Sequence, residues 1–309
     1  MTVGRPKKVV CGLDGSPEGT ELARISARLA DALGCGLHLV HVLGASRPAS
    51  APAGALSRRM PPDAGPSERI ETESDATAML DGLSDAVGAP SATRHVIPYG
   101  DPARRLAVIA RRSEAVMIVV RARGRAPVAD ARLGSVSSRL AADAPCLVLL
   151  VPHGCESQVH PESWRERMFV CGFDGSAPAR AAARQASIVA VKLGGSVALV
   201  SVGTDATHGL ERAASSLQDE VADWQARDSI PTSLSVSHQV RVGEPAWELE
   251  HAANALTAPL IAVGSRGQGS QRDALLGSVA RDLVERARRP ILVLPATSLL
   301  RAARSNGSW

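Results

Sequence analysis

The chain has 309 residues, of which 45% are apolar and 21% are charged, and its formal net charge is +4. This length predicts two domains of about 150 residues each rather than one. The high apolar content excludes an intrinsically disordered chain. The modest charge, with only four Trp, two Phe and one Tyr to stack on bases, argues against a dedicated nucleic-acid binder.

The sequence contains no segment typical of a membrane or secreted protein. No run approaches the roughly 20 apolar residues that span a bilayer, and the N-terminal stretch MTVGRPKKVVCGLDGS lacks the apolar core of a secretion signal. The five cysteines form no CxxC pair, which fits buried, reduced thiols. We therefore expect a cytoplasmic protein without a membrane partner.

Strands and helices alternate along the first half of the chain. The apolar run KKVVCGL predicts the first strand, and the turn Asp14-Gly15-Ser16-Pro17 ends it, with Ser16 as the N-cap of a helix to about Leu33. The later elements, in order, are the strands LHLVHV and TRHVIP, a helix opened by Gly-Asp-Pro, the strand AVMIVV, a helix from Gly134 and the strand CLVLLV. Residues 44–66, rich in Ala, Pro, Ser and Gly, predict a long inserted loop.

The second half of the chain repeats the first. VVCGLDGSPEG at 9–19 returns as FVCGFDGSAPA at 169–179, and GDPARRLAVIA returns as GEPAWELEHAA. The repeat predicts two domains, 1–152 and 165–298, joined by the polar segment 152–167. A second helix of domain 2 is predicted by apolar residues at helical spacing, which are Leu210, Ala214, Leu217, Val221 and Trp224.

This alternation predicts the α/β class, with a doubly wound parallel sheet in each domain. Ligands of such sheets bind at the carboxyl ends of the strands. Asp14, Asp174 and a glycine-containing segment of each domain follow strands at those ends.

The glycine segment of domain 2 runs from Gly264 through Gly267 to Gly277 and Ser278, between the strand PLIAVG and a helix. Backbone amides at a helix N-terminus favour phosphate, and glycine permits close approach or positive φ. No Gly-Lys-Ser/Thr closes the segment, so it is not a Walker A loop, and it does not follow the first strand as a Rossmann fingerprint would. The alternative is that the glycines only shape a loop and that Ser135 and Ser278 only cap helices.

The segment Gly264-x2-Gly267-x9-Gly277-Ser278, with the Asp-Gly-Ser turn after strand one, resembles the ATP-binding motif of the universal stress protein family. The resemblance covers both repeats. It implies a tandem protein of two five-stranded domains with an adenine nucleotide alpha hydrolase-like fold. It further implies a regulator or sensor in a stress response that binds ATP, with or without Mg²⁺, and hydrolyses it slowly or not at all.

The resemblance also implies which residues hold the nucleotide. In domain 2 they are Asp174, Val202, Gly264, Arg266, Gly267, Gly277, Ser278 and Val279. In domain 1 the matching, weaker set is Asp14, Val42, Arg123, Gly124, Gly134, Ser135 and Val136. We expect no catalytic residues, and none of the eight histidines has a convincing metal-ligand spacing.

Arg121 stands in domain 1 where domain 2 has Gly264. An arginine here puts a long side chain where the backbone should meet phosphate, and a positive φ would cost about 1 kcal/mol or more. We therefore expect domain 2 to bind ATP more tightly. The alternative is that Arg121, Arg123 and Arg125 make a more electropositive phosphate pocket.

Two other functions remain open from the sequence. One is an interaction scaffold with degenerate nucleotide sites, and the other is an ATP-dependent transferase that uses residues 44–66 as a lid. For either function the protein partner is unknown. In relatives, strands such as CLVLLV and ILVL pair across the domain interface, so we expect an internal pseudo-dimer; association of two chains to a homodimer is left open.

Overall fold

The computed structural model describes residues 7–43, 72–123, 133–155, 159–203, 219, 221–226, 234–267, 276–286 and 288–298. The predicted inserted loop at 44–66 lies outside these residues, as do Gly124 and the tail beyond 298. Of the residues that predict the second helix of domain 2, Leu210, Ala214 and Leu217 lie outside as well. None of the described helices combines the length and apolar character that a bilayer-spanning segment requires.

The first domain alternates strands and helices in the predicted order. Its elements are β1 Lys8–Leu13, α1 Gly19–Leu33, β2 Gly36–Val42, α2 Glu73–Ala86, β3 Thr93–Ile97, α3 Pro102–Arg112, β4 Ala115–Arg121, α4 Ser135–Asp143 and β5 Leu147–Val151. The Gly-Asp-Pro start of α3 is confirmed, since Asp101 accepts hydrogen bonds from the amides of Ala103 and Arg104 and caps the helix.

The second domain repeats this order. Its elements are β6 Met168–Gly172, α5 Ala177–Lys192, β7 Ser196–Gly203, β8 Val236–Val242, α7 Pro245–Ala255, β9 Ile261–Gly264, α8 Ser278–Arg286 and β10 Ile291–Leu294. Residues 221–226, labelled α6, are helical, and Val221 and Trp224 pack against the core as their spacing predicts.

The described strands join in one ten-stranded sheet, in the order β3-β2-β1-β4-β5-β10-β9-β6-β7-β8. Pairing is parallel within each half, which confirms the predicted α/β fold. At the junction β5 and β10 run antiparallel, with Leu149 opposite Leu292. The two domains therefore share a continuous backbone hydrogen-bond ladder.

Helices cover both faces of the sheet, and the strand sequences reflect this. On β1, Val9 and Cys11 belong to one apolar core, and Val10 belongs to the other. All five residues of β5 are buried. Continuous burial on both faces explains why the strands read as unbroken apolar runs rather than as alternating patterns.

The start of α1 differs from the prediction. The helix begins at Gly19 with Glu18 as its N-cap, so Ser16 is not the cap. The hydroxyl of Ser16 instead accepts a hydrogen bond from Arg121 at 3.4 Å. In domain 2, where no arginine is in that place, Ser176 does cap α5 by accepting from the Ala179 amide.

The connection between the domains is more structured than its polar sequence predicts. Pro161–Trp164 forms a 3-10 helix, and the Trp164 side chain is buried edge-on against Phe169. Cys155 and Val159 are buried too. Isolated apolar residues in an irregular segment carry no periodic signal, which is why the prediction missed them.

Candidate functional site

A cavity of about 350 Å³ opens at the carboxyl ends of the domain 2 strands β6, β7 and β9. Every residue predicted for the domain 2 site lines it: Asp174, Val202, Gly264, Arg266, Gly267, Gly277, Ser278 and Val279. Cavities of this size and position commonly bind small molecules in doubly wound sheets. The fold thus brings together residues that lie more than a hundred positions apart in the sequence.

The apolar wall of this cavity was not predicted from the sequence. The wall consists of Phe173, Ala179, Val200, Pro245, Leu249 and Val263. A signal for part of it was present, because Pro245 belongs to the Gly-Glu-Pro start of α7 that repeats in both domains. Half of the cavity is therefore a surface suited to a flat or apolar group.

Gly264 and Gly267 are closely packed, so a side chain at either position would force a neighbour to shift. A Cβ on Gly264 would lie 3.0 Å from the Arg266 carbonyl oxygen and 3.2 Å from the Pro178 backbone, and one on Gly267 would overlap Asp174 Oδ2. Gly264 ends a strand and does not have a positive φ. Of the two reasons that the sequence offered for this glycine, positive φ does not apply, and close packing of backbone does.

The start of α8 is fastened to the end of β9 by backbone hydrogen bonds. The Gly277 amide donates to the Ser265 carbonyl at 2.8 Å. The Ser265 amide in turn donates to the carbonyl of Leu294, at the end of β10, at 2.9 Å. The Ser265 hydroxyl accepts from the Ala296 amide at 2.9 Å, so it serves the fold. As a result, Ser278 and Val279 in the first turn of α8 line the cavity, where the helix dipole favours negative charge.

Ionisable groups at the cavity are few. Among the described lining residues they are Asp174, whose Oδ1 accepts from the Ser176 amide at 2.9 Å, and the half-buried Arg266. Arg266 Nε is buried and lacks a hydrogen-bond acceptor within the described part of the chain. No group of three or more His, Cys, Asp or Glu side chains in the described ranges could hold a metal ion.

The equivalent place in domain 1 keeps the backbone arrangement. The Gly134 amide donates to the Ala122 carbonyl at 3.0 Å, and Asp14 Oδ1 accepts from the Ser16 amide at 3.0 Å. Of the other residues predicted there, Val42 ends β2, Ser135 and Val136 begin α4, and Arg123 is exposed. Gly124 is outside the described residues.

Arg121 is the main difference between the two places. Its guanidinium lies 2.9 Å from Glu18 Oε2 and 2.7 Å from His153 Nδ1, and its side chain is only 10% exposed. The pKa of Glu18 is lowered by a hydrogen bond from its own backbone amide and further by the Arg121 charge. The carboxylate therefore stays ionised beside the arginine.

Comparison with known proteins places the chain in a family. A profile of the universal stress protein family matches residues 6–152 and again 167–295. Universal stress protein Rv2005c of Mycobacterium tuberculosis is 29% identical in an alignment 306 residues long, which covers 94% of this chain and 99% of that protein. Universal stress protein Rv2623 of the same organism is 26% identical over 299 residues, covering 92% and 95%.

A solved structure has the same fold over its full length. The universal stress protein from Archaeoglobus fulgidus superposes with a TM-score of 0.67 at 20% sequence identity, covering 93% of this chain and 98% of that one. The two profile matches include every strand of the ten-stranded sheet. The chain belongs to the universal stress protein family, with two domains of that family in tandem.

Proposed function

We propose that domain 2 binds an adenine nucleotide, principally ATP, and that its occupancy is the signal by which the protein regulates a stress response. The observation that carries the proposal is the cavity at the carboxyl strand ends, bounded by glycines that no larger residue could replace without a shift. Such a surface lets the backbone amides approach a phosphate closely.

The cavity has two chemically different sides, and these suit the two ends of a nucleotide. We expect the phosphates at Gly264, Gly267 and the start of α8, where Arg266 adds a positive charge. We expect the adenosine against the apolar wall, with Asp174 and Val202 beside it. Mg²⁺ would be held mainly by phosphate oxygens and water, because the described residues offer no set of three ligating side chains.

We propose that ATP is turned over slowly or not at all. Hydrolysis needs a positioned base or nucleophile near the phosphates. The ionisable groups among the described lining residues are one aspartate and one arginine, and Asp174 already accepts the Ser176 amide. This composition favours binding over catalysis.

The test is isothermal titration of the full chain with ATP, AMP and cyclic AMP, together with mass spectrometry of nucleotide retained through purification. Arg266→Ala should weaken ATP binding about tenfold or more, because a charge-assisted contact is lost. The matched control is Arg123→Ala, the equivalent arginine of domain 1, which should leave the affinity unchanged. Absence of binding by all three nucleotides at millimolar concentration would refute the proposal.

A scaffold role for domain 1 is a second candidate, favoured by the ion pair between Glu18 and Arg121 in the place of its site. In that case domain 1 would contribute a permanent partner for the domain 2 sheet. The two candidates differ in thermal unfolding. A ligand at about 100 times its dissociation constant adds about 2.7 kcal/mol of stability, so a chain that shows no shift with ATP is a scaffold only.

A further inference from the structure

We infer that the domain 1 copy of the site is closed by its own side chains, through an ion pair between Arg121 and Glu18, so that each chain binds a single nucleotide. The inference rests on the proposed function of domain 2. It concerns a different place in the molecule and is tested separately.

The backbone register shows which residues are equivalent. The bond from Gly134 to Ala122 in domain 1 matches the bond from Gly277 to Ser265 in domain 2, so Arg121 occupies the position of Gly264. The Asp14 and Asp174 turns are likewise the same, each with the aspartate accepting the amide of a serine two residues on.

By the register of those turns, Glu18 occupies the position of Pro178. In domain 2 these two positions carry Gly264 and Pro178, whose backbones pack closely. A Cβ added to Gly264 would lie 3.2 Å from the carbonyl carbon of Pro178. In domain 1 they carry two opposite charges 2.9 Å apart. Both residues of this neighbouring pair therefore differ between the domains, and the two residues found in domain 1 have opposite charges.

The guanidinium occupies the space in which phosphate would meet the backbone. It is nearly buried and already contacts Glu18, the Ser16 hydroxyl and His153. An incoming triphosphate would have to displace a carboxylate and then lie beside its negative charge. The ion pair with Glu18 offsets the charge of Arg121, which weakens its part in the electropositive alternative; Arg125 lies outside the described residues.

A second ion pair lies across the same edge of domain 1. Arg139 on α4 pairs with Asp101, the N-cap of α3. The corresponding residues of domain 2 are Asp282 and Glu244, two acids that cannot form such a pair. The duplicate half thus shows that the fold needs neither ion pair, and that both are particular to the domain in which the site is closed.

The experiment exchanges the pair between domains and counts bound ATP by isothermal titration and native mass spectrometry of full-length chains. We expect one ATP for the unaltered protein and none for Pro178→Glu/Gly264→Arg. We expect two for Glu18→Pro/Arg121→Gly, and one for the chain carrying all four substitutions. Thermal unfolding without nucleotide establishes that each variant is folded.

Labelling of the unaltered protein with a photoreactive azido-ATP, followed by peptide mapping, supplies a test that needs no variant. Label confined to domain 2 peptides supports the inference. Label on residues 7–43, two ATP per unaltered chain, or a folded Glu18→Pro/Arg121→Gly chain that binds only one ATP would each overturn it. An unaltered chain that binds no ATP refutes instead the proposed function of domain 2.

Discussion

At Gly267, a side chain would disturb another residue of the domain 2 site directly. A Cβ there would overlap the Asp174 carboxylate, and both residues line the same cavity. Since Asp174 is exposed, it can move away without disturbing the core. The cost of a side chain at Gly267 therefore falls on the site rather than on the fold.

We predict that Gly267→Ala weakens ATP binding at least tenfold, or about 1.4 kcal/mol, while the free energy of unfolding stays nearly constant. Isothermal titration and urea unfolding measure the two quantities. Gly82→Ala is the control, because a Cβ on this exposed glycine of α2 meets open space. It should stabilise the helix by roughly 0.5–1 kcal/mol and leave binding unchanged. Equal affinities for both variants would contradict the role of Gly267.

A pair of histidines, of which His38 is buried and His95 is half-buried, is a second feature at the residue scale and is found in domain 1. His38 on β2 and His95 on β3 lie with Nδ1 and Nε2 2.9 Å apart. Burial lowers the pKa of His38 to about 4, aided by His95 and Lys8, and burial also lowers the pKa of His95. Both rings are neutral in the folded protein at neutral pH. Below pH 6.5 the unfolded chain binds more protons than the folded one, so acid destabilises the fold.

We predict that stability falls as the pH drops from about 6.5 to about 4, with His38 contributing up to about 1.4 kcal/mol per pH unit. His38→Ala introduces the residue that domain 2 has at the same register, Ala198. The variant should be less stable than the unaltered protein at pH 7, and that difference should shrink toward pH 4. Denaturant unfolding across this range measures it, and parallel pH curves for the two proteins would disprove the assignment.

At the scale of elements, Arg289, which precedes β10, contacts the C-terminal end of α7. Arg289 donates to the carbonyls of Ala253 and Ala258, at 3.2 and 2.5 Å, and pairs with Glu250 at 3.4 Å. Burial raises the pKa of Glu250, and the Arg289 charge opposes that rise. Removing the arginine would leave carbonyls without a donor and an acid without its partner.

Arg289→Ala should lower the free energy of unfolding by about 2–3 kcal/mol, because buried polar groups lose their partners. Arg281→Ala on α8 is the matched control. Its side chain is 54% exposed and lies 3.9 Å from Asp282, so the expected loss is below about 0.5 kcal/mol. Urea denaturation of both variants decides the matter, and losses of similar size would show that Arg289 is not a special contact.

The sequence predicts those elements that carry a local or a repeated signal. The strands appear as apolar runs, and α3 and α7 begin at prolines after an acidic cap. The glycine segment is recognisable because its second part, from Gly267 to Ser278, has a match at the same spacing in domain 1. The contacts of Arg121 with Ser16 and Glu18 could not be predicted in this way. Ser16 is 105 residues away from Arg121 in the sequence, and Glu18 lies in the same turn as Ser16. Such a contact depends on the packing of β4 against the start of α1.

At the scale of the whole molecule, the two domains are held by strand pairing as well as by the connecting segment. Leu149 and Leu150 of β5 lie opposite Leu292 and Ile291 of β10, and all four side chains are buried. An apolar strand edge of this kind associates strongly with a partner strand when it is uncovered. We therefore expect the halves to stay together without the connecting segment.

We predict that a chain cut after folding remains assembled. A protease site that replaces residues 156–158 allows the cut in the full-length protein. The two pieces should co-elute at the volume of the uncut chain in size-exclusion chromatography and separate only in denaturant. Elution as two smaller species under native conditions would show that the β5–β10 pairing is too weak to hold the domains.

The antiparallel pairing of β5 and β10 also determines where the carboxyl ends of the strands lie in each domain. Every strand of domain 1 is antiparallel to the strands of domain 2, so the carboxyl ends of the two sets of strands lie on opposite sides of the sheet. The domain 2 cavity and the matching place in domain 1 therefore lie at opposite sides of the sheet. On the proposed function, nucleotide would change only the domain 2 side, and a partner bound at the domain 1 side would contact a surface that stays the same. One chain would then offer a constant surface and a nucleotide-dependent surface to two partners at the same time.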